Sequence, residues 1–370
     1  MNLNNRNDGI DLLRGVSILS VILVHCAIHM PFTHQFLPIA LNNIIFHSGY
    51  YGVIMFFVIS GFLITSVCLR RWGNLENIHA GRFYQMRFAR IMPCLILLLI
   101  ISSILHLLRI NGFIIHTASL PEVIFSALTF HINELRNQTG YLPPNLDVLW
   151  TLSIEEMFYL FFPIVCLFVK RRSYFIFLLF ILIVIAPFSN MFPKQTPWTE
   201  YYYFSNMDAI AIGCLCALVS NQIKFDTKIL SALFWIGFSL FSLVFFFRHF
   251  SYEVGITKIG LNNTFLEIGV GLILIVMQQR NKSGKSWTLF LRWFGRNSYE
   301  VYLTHSFIII LFSLTIFNKH MSDYSILLLY LLTIILSGVA GQGISSYCSE
   351  PMNRWIRSKT VRFKTKELTA

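Results

Sequence analysis

The stretch DLLRGVSILSVILVH, residues 11–25, begins a long apolar run and yet carries three ionisable side chains, Asp11, Arg14 and His25. Because an α-helix turns about 100° and rises about 1.5 Å per residue, Arg14 and His25 are separated by about three turns and about 16 Å. Asp11 precedes Arg14 by about one turn. We therefore predict that all three lie on nearly one face of a membrane helix, with His25 past the bilayer midplane.

The composition extends this interpretation to the whole chain. Of 370 residues, 55% are hydrophobic and 12% are charged, whereas soluble proteins carry about a quarter charged residues. Repeated apolar runs predict an all-α polytopic membrane protein with about ten transmembrane helices. The predicted spans are residues 10–30, 46–68, 91–109, 149–169, 173–188, 206–220, 229–247, 263–279, 298–317 and 325–346. The apolar patch 122–130 is too short to cross the bilayer and predicts a re-entrant or surface helix.

Lysine and arginine are unevenly divided between the two sides of these spans. With the N-terminus inside, 23 of the 29 basic residues fall on the inner side. Because short cytoplasmic loops carry an excess of Lys and Arg, both termini are predicted to be cytoplasmic. This topology, together with contacts to membrane lipids, accounts for the net charge of +12 without nucleic-acid binding. We predict one transmembrane domain, residues 1–350, and a short basic cytoplasmic tail, residues 351–370.

Several common kinds of site are not predicted. The seven cysteines lie mostly in apolar segments without zinc or disulfide spacing, so we interpret them as core residues. The sequence has no phosphate-binding P-loop, no G-x-S-x-G elbow and no H-E-x-x-H motif. We expect neither an ATP-driven step nor a metal.

A second group of intramembrane charges lies in LWTLSIEEMFYLFFP, residues 149–163. Counted from the outer boundary, Glu155 and Glu156 lie about 10 Å deep, at the predicted depth of His25. Adjacent helical residues point about 100° apart, so only one of the two carboxylates is expected to meet His25. Such a pair suits a general base whose tautomer is fixed by a carboxylate, and it equally suits a proton relay.

Two arginines lie one turn apart in GRFYQMRFARIMP, residues 81–93. Arg87 and Arg90 share a helical face at the inner end of the third span. Their guanidinium groups suit the binding of phosphate. The alternative is that both only orient the protein in the membrane.

The segment FGRNSYEVYLTHSF, residues 294–307, contributes a second intramembrane histidine. Counted from the cytoplasmic side, His305 is predicted about 10 Å deep, near the level of Arg14. It is interpreted either as part of the polar lining for an entering ligand or as an interhelical hydrogen-bonding group. Near the outer boundary, Asp208 and Glu267 either face an acceptor or lie at the membrane interface.

Five stretches in this order resemble motifs of the membrane acyltransferase 3 family, whose members acetylate bacterial surface polysaccharides. They are IDLLRGVSILSVILVH, VIMFFVISGFLIT (53–65), FYQMRFARIMP, LWTLSIEEMFYLFFP and FGRNSYEVYLTH. The resemblance covers nearly the whole chain. Thr151 stands where the family usually has serine, and Met157 where glutamine is common.

The resemblance implies a ten-span bundle that uses acetyl-CoA, or another acyl-CoA, from the cytoplasm. It implies that His25 is the catalytic base or an acyl-relay residue, and that Arg14, Arg87 and Arg90 contact the donor. The expected catalytic residues are Asp11, His25, Glu155 and Glu156, and the expected donor-binding residues are Arg14, Arg87, Arg90 and His305.

The family also implies a location and partners. We expect a multi-pass protein of the bacterial inner membrane whose acceptor is a surface glycan, such as the O-antigen of lipopolysaccharide, or its lipid-linked precursor. A homo-oligomer is possible, and the C-terminal esterase-like domain of some relatives is expected to be missing. The alternative is a proton-coupled transporter of a lipid-linked sugar, which would move its substrate without acyl transfer. A passive scaffold would tolerate loss of the intramembrane charges.

Overall fold

The computed structural model describes residues 6–32, 37–46, 48–169, 171–191, 203–255, 257, 261–318 and 320–367. These residues form helices and connecting turns without a β-strand, which confirms the all-α prediction. The α-helices are α1 Asp8–His29, α2 Ile39–Phe46, α3 Gly49–Trp72, α4 Ala80–Leu107, α5 Leu120–Leu128, α6 Ile132–Thr139, α7 Pro144–Asp147, α8 Leu149–Phe168, α9 Arg172–Met191, α10 Met207–Gln222, α11 Thr227–Phe245, α12 Arg248–Glu253, α13 Leu261–Arg280, α14 Leu289–Arg296, α15 Ser298–Thr315, α16 Asp323–Ile344 and α17 Glu350–Glu367.

Eight helical segments in the described part of the chain are long and apolar enough to cross a membrane. Two shorter apolar helices, Arg172–Ile185 and Met207–Gln222, coincide with the spans predicted at 173–188 and 206–220. The protein is therefore a multi-pass membrane protein. The exact count of ten spans and the cytoplasmic side of the termini stay predictions.

The third span is longer than predicted, and this places its arginines on a regular helix. The apolar run suggested a start near residue 91, but α4 begins at Ala80. Arg87 and Arg90 thus project from the second and third turns of α4, which confirms that both lie on one helix. The patch predicted at 122–130 is the short helix α5, whose first turn is closed by a capping box of Ser119 and Glu122.

Glycines bring α1 into close contact with the short helix α14. A methyl group at Gly15 would overlap the carbonyl group of Leu291, and one at Gly295 would overlap the carbonyl group of Asp11. Small residues at such crossings let membrane helices approach backbone to backbone. The junction between α14 and α15 is therefore held beside the first turns of α1, and this contact fixes the depth at which α15 begins.

A second close crossing holds α3 against α10. A side chain at Gly61 would overlap the carbonyl group of Ile210, and one at Gly213 would overlap that of Val58. Because each helix presents a glycine to the other, the two backbones pack directly together. This crossing holds α3 in place, and α3 ends in the basic pair Arg70 and Arg71.

The C-terminal region continues as a helix and packs on the rest of the protein. A π-helical turn, Ser345–Ser349, joins α16 to α17. The side-chain amide of Gln85 in α4 donates a hydrogen bond to the carbonyl oxygen of Ile356 in α17 at 3.3 Å. The segment predicted as a basic tail is thus helical to Glu367 and docked on α4.

Candidate functional site

A cavity of about 840 Å³ lies between α1, α3, α4, α8, α15 and α17. Its wall contains eight arginines and two glutamates, together with apolar, aromatic and small polar side chains. The charged residues are Arg6, Arg14, Arg70, Arg71, Arg87, Arg90, Arg296, Arg357, Glu155 and Glu350. The structure therefore brings four of the residues singled out by the sequence, Arg14, Arg87, Arg90 and Glu155, into one cavity.

Arg87 is the centre of an ion-pair cluster in this cavity. Its Nη2 atom donates to Glu156 Oε1 at 2.9 Å and to Glu155 Oε1 at 3.2 Å. Its guanidinium carbon lies 3.7 Å from the centroid of the Tyr159 ring. One guanidinium has enough donors for two carboxylates, and removing these charges from water is tolerable because they are paired.

The serine and tyrosine around Glu155 complete this cluster. Tyr159 donates from its hydroxyl to Glu155 Oε1 at 2.8 Å. The Ser60 hydroxyl contacts both Glu155 and Tyr159. These bonds hold the Glu155 carboxylate against Arg87.

The predicted pairing of His25 with Glu155 or Glu156 is wrong, because both carboxylates bind Arg87 instead. Among the described residues, His25 has no carboxylate partner and contacts two other histidines. The prediction failed because helical depth does not determine the direction in which a side chain points across the bundle. A buried carboxylate also gains more from a permanently charged guanidinium than from an imidazole.

His25 lies against His305 in the interior. Their ring centroids are 5.1 Å apart with an angle of 61° between the ring planes. The ring of His29 stacks 6.5 Å from that of His25. His305 is completely buried, and its Nδ1 atom donates to the carbonyl oxygen of Tyr302 at 2.7 Å. Because a carbonyl oxygen only accepts, Nδ1 carries the proton and Nε2 of the neutral ring is left as an acceptor.

The predicted depth of His305, near the level of Arg14, is also wrong. The distance along α15 was sound, since seven residues from Ser298 to His305 rise about 10 Å. The predicted depth of the first residue of α15 was wrong, because the packing of α14 against α1 places Ser298 beside Arg14. Arg14 Nε donates to Ser298 Oγ at 3.1 Å, and His305 therefore lies deeper, at the level of His25.

The same contacts confirm that Arg14 and His25 share a face of α1. Both side chains meet α15, at Ser298 and at His305 respectively. From Arg14 to His25, α1 rises about 16 Å, and from Ser298 to His305, α15 rises about 10 Å. The long side chain of Arg14 accounts for the difference of about 6 Å. The two helices therefore run in the same direction.

Asp11 pairs with two arginines that line the cavity and lies far from the histidines. It is buried, and its Oδ2 atom lies 2.7 Å from Arg6 Nε and 3.9 Å from Arg296 Nε. Fourteen residues separate it from His25, which corresponds to about 21 Å along α1. The structure thus places Asp11 where it balances arginine charge.

The sequence analysis did not identify Glu300, the partner of Arg90. Glu300 is fully buried, and its Oε1 atom lies 3.6 Å from Arg90 Nη1. An acidic residue in the first turn of a span whose other residues are mostly apolar was the signal that could have identified it. Ser60 is a similar case, as a polar residue within an apolar run.

The cavity and the histidine pair adjoin at one aromatic residue. Tyr302 lines the cavity, and its ring centroid lies 6.1 Å from that of Phe56 and 5.8 Å from that of His305. The hydroxyl of Thr151 donates to the Tyr302 hydroxyl at 2.9 Å. The histidines therefore lie just beyond the part of the cavity wall that Tyr302 and Phe56 form.

Asp208 and Glu267 form a separate buried pair between α10 and α13. Only 3% of Asp208 and 2% of Glu267 is exposed, so both carboxylates lie inside the protein, and their depth in the membrane stays a prediction. Asp208 Oδ1 accepts a hydrogen bond from the backbone N–H of Ala209 at 2.9 Å. Neither residue forms an ion pair with a described cation, in contrast to Glu155 and Glu156.

Comparison with known proteins finds a family profile and several relatives. A sequence profile described as "Acyltransferase domain" matches residues 7–345. The chain is 28% identical over 323 residues to "Peptidoglycan O-acetyltransferase OatA" of Listeria monocytogenes, covering 80% of this chain and 48% of that protein. It is 28% identical over 328 residues to "Putative peptidoglycan O-acetyltransferase YrhL" of Bacillus subtilis, covering 82% of this chain and 48% of that protein.

A shorter match is 32% identical over 162 residues to "Putative O-acetyltransferase SACOL0978" of Staphylococcus aureus, covering 42% of this chain and 24% of that protein. The chain thus spans about half the length, or less, of these relatives. No solved structure matches it significantly.

Proposed function

Since the chain belongs to the acyltransferase domain family, we propose that it is an integral-membrane O-acyltransferase. It transfers an acetyl or other short acyl group from a cytoplasmic acyl-CoA to a hydroxyl group of a glycan outside the bacterial cytoplasmic membrane. The observation that carries this proposal is the cavity rich in arginine, whose wall adjoins the contacting rings of His25 and the buried His305 through Tyr302.

The arginines support a donor that carries several phosphates. Acyl-CoA combines a polyanionic nucleotide with a long, weakly polar arm that ends in the thioester. Guanidinium groups bind phosphate through paired, charge-assisted hydrogen bonds. Arg14, Arg87 and Arg90 contact the anionic part of the donor, while the arm extends past Phe56 and Tyr302 toward the histidines.

The histidines supply the base for acyl transfer. An imidazole nitrogen of His25 takes the proton of the acceptor hydroxyl as its oxygen attacks the thioester carbonyl carbon. The carbon–sulfur bond then breaks, and the leaving thiolate takes a proton from the imidazolium. His305, whose Nε2 is unprotonated, shares that proton with His25. A transient acyl-histidine, in which His25 attacks the thioester first, is the alternative order of steps.

Two kinds of glycan are candidate acceptors. The sequence pattern suggested a surface polysaccharide such as O-antigen, whereas two of the relatives are named for peptidoglycan. Both kinds of glycan present sugar hydroxyl groups at the outer face of the membrane. We therefore include both as acceptors in the test.

The test compares cells that express the wild-type chain with cells that express His25→Ala, using cells without the gene as the background. Ester-linked acyl groups are measured by mass spectrometry and NMR in peptidoglycan and in surface polysaccharide. We expect an acyl ester in one of the two glycans with the wild type and its loss with His25→Ala at equal membrane abundance. Equal acylation by the two proteins, or no added ester in either glycan, would contradict the proposal.

A further inference from the structure

The eight arginines of the cavity fall into two groups according to their partners. Arg14 donates to a serine hydroxyl, and four others form ion pairs with carboxylates. Those four are Arg6 and Arg296 with Asp11, Arg87 with Glu155 and Glu156, and Arg90 with Glu300. The other three, Arg70, Arg71 and Arg357, form no ion pair with a described residue. Together with Arg14, these three carry the positive charge of the cavity that no described carboxylate pairs directly.

Two of these arginines end helix α3. Arg70 Nε donates to the carbonyl oxygen of Ser66 at 3.4 Å, a contact that a cation commonly makes in the last helical turn. Among the described residues, the guanidinium of Arg71 has a hydrogen-bond contact with the sulfur of Met86 alone, and this sulfur is a weak acceptor. Arg70 is therefore used to cap the end of α3, whereas most N–H donors of Arg71 are left for a ligand.

The third arginine is brought to the cavity by α17. The hydrogen bond from Gln85 to the carbonyl of Ile356 fixes α17 on α4, and the next residue, Arg357, lines the cavity. The positive charges of Arg71 and Arg90 repel that of Arg357, and the negative charge of Glu350 attracts it. The acidic residue of the same helix, Glu350, is itself paired with Arg354 at 3.0 Å. Packing thus holds like charges together, an arrangement that a bound anion would stabilise.

These two arginines lie at the mouth of the cavity. Arg71 is the penultimate residue of α3, and both Arg71 and Arg357 are exposed. Arg87 and Arg90, in contrast, lie about 10 and 15 Å along α4 from its first residue. A ligand that fills the cavity would therefore present its outermost charged group to Arg71 and Arg357.

We propose that Arg71 and Arg357 bind a phosphate monoester at the cavity mouth, namely the 3′-phosphate of the acyl-CoA donor. This inference rests on the proposed function, because it assigns one end of the same donor. The dianionic phosphate bridges the two guanidinium groups and relieves their repulsion. Helix α17 lies beyond residue 345, where the match to the family profile ends, so it adds a donor-binding residue to the matched domain.

The test measures binding of coenzyme A and of 3′-dephospho-coenzyme A to the full chain. The protein is reconstituted in phosphatidylcholine nanodiscs, and affinities are measured by calorimetry. We expect the wild type to bind coenzyme A about tenfold or more tightly than 3′-dephospho-coenzyme A, as for the gain of one charge-assisted pair. Arg71→Gln and Arg357→Gln each remove most of this preference. Arg82→Gln is the control, because it removes an exposed arginine of α4 that does not line the cavity and keeps the preference.

The outcomes separate this inference from the proposed function. If the wild type binds coenzyme A and both variants keep its preference for the 3′-phosphate, the inference is wrong and the proposed function stands. If the wild type binds neither compound, both are wrong. A lipid headgroup carries the same phosphate chemistry, so native mass spectrometry in nanodiscs with phosphatidylglycerol forms a second arm. Retention of that lipid through Arg357, with an unchanged coenzyme A preference, would overturn the assignment to the donor.

Discussion

The two ends of helix α1 present different chemical environments to α15. At one end, Arg14 meets Ser298 in a cavity where several arginines are balanced by carboxylates. At the other end, about 16 Å away along the helix, His25 meets His305, and the described residues provide no carboxylate partner for His25. Under the proposed function, binding of the anionic donor and transfer of the proton are therefore separated along one helix.

This separation has a kinetic consequence. Groups that hold the donor equally in its ground state and in the transition state change KM, whereas groups that act only in the chemical step change kcat. We therefore expect substitutions at the arginine end to act mainly on the donor KM. Substitutions at the histidine end should act mainly on kcat.

The largest effect is expected for His25→Ala. Loss of a general base lowers kcat by about 10²- to 10⁴-fold, and the donor KM should stay near that of the wild type. The measurement is steady-state acyl transfer in proteoliposomes, with His29→Ala as the control because His29 is on the same helix and stacks on His25. A similar loss in both variants would show that the site is disturbed as a whole.

The next largest effect is expected for His305→Asn. The asparagine amide can still donate to the carbonyl of Tyr302, but the substitution removes the acceptor nitrogen Nε2, which lies 3.4 Å from Ser306 Oγ. We expect kcat to fall about tenfold to hundredfold, less than for a primary base, with unchanged expression and thermal stability. Wild-type kcat in His305→Asn, together with instability of His305→Ala, would mean that His305 is only structural.

At the arginine end, Arg87→Gln should have a smaller effect on turnover and a larger one on stability. It leaves Glu155 and Glu156 without their cation, and breaking a buried pair costs about 3–5 kcal/mol in soluble proteins. We expect a lower melting temperature in detergent and a donor KM raised about tenfold. Combining Arg87→Gln with Glu156→Gln should restore part of the stability. If the double variant is no more stable than Arg87→Gln alone, loss of this ion pair is not the cause of the lower stability.

The smallest effect is expected for Asp208→Asn. This carboxylate is buried like Glu156, but the described residues give it no cation partner. The amide keeps the shape and can still accept from the N–H of Ala209, while it removes repulsion with Glu267. We expect acyl transfer within about twofold of the wild type and unchanged or higher stability. A loss as large as that of His25→Ala would mean that the pair takes part in transfer.

The sequence predicted the parts of this arrangement that depend on helical repeat. The shared face of Arg14 and His25 follows from spacing within one helix, and the apolar runs identify the helices themselves. The gathering of Arg14, Arg87 and Arg90 could also be expected, since all lie near the inner ends of their spans.

The partners of these residues could not be predicted in the same way. Whether Glu156 meets His25 or Arg87 depends on how helices are rotated against each other, and spacing along one helix does not contain that information. The level of His305 depends on the glycine contacts that place α14 against α1. The role of α17 depends on its docking to α4 through Gln85, which a basic C-terminal sequence does not reveal.

The most direct test of this account is a cryo-electron microscopy structure of the protein in lipid nanodiscs with a non-hydrolysable thioether analogue of acetyl-CoA. The account predicts phosphates against the arginines of the cavity and the arm running past Tyr302. It places the acyl carbonyl within about one hydrogen-bond length, or one bridging water, of the His25 imidazole. An analogue whose acyl group lies beside Glu155 and Glu156, without contact to either histidine, would contradict it.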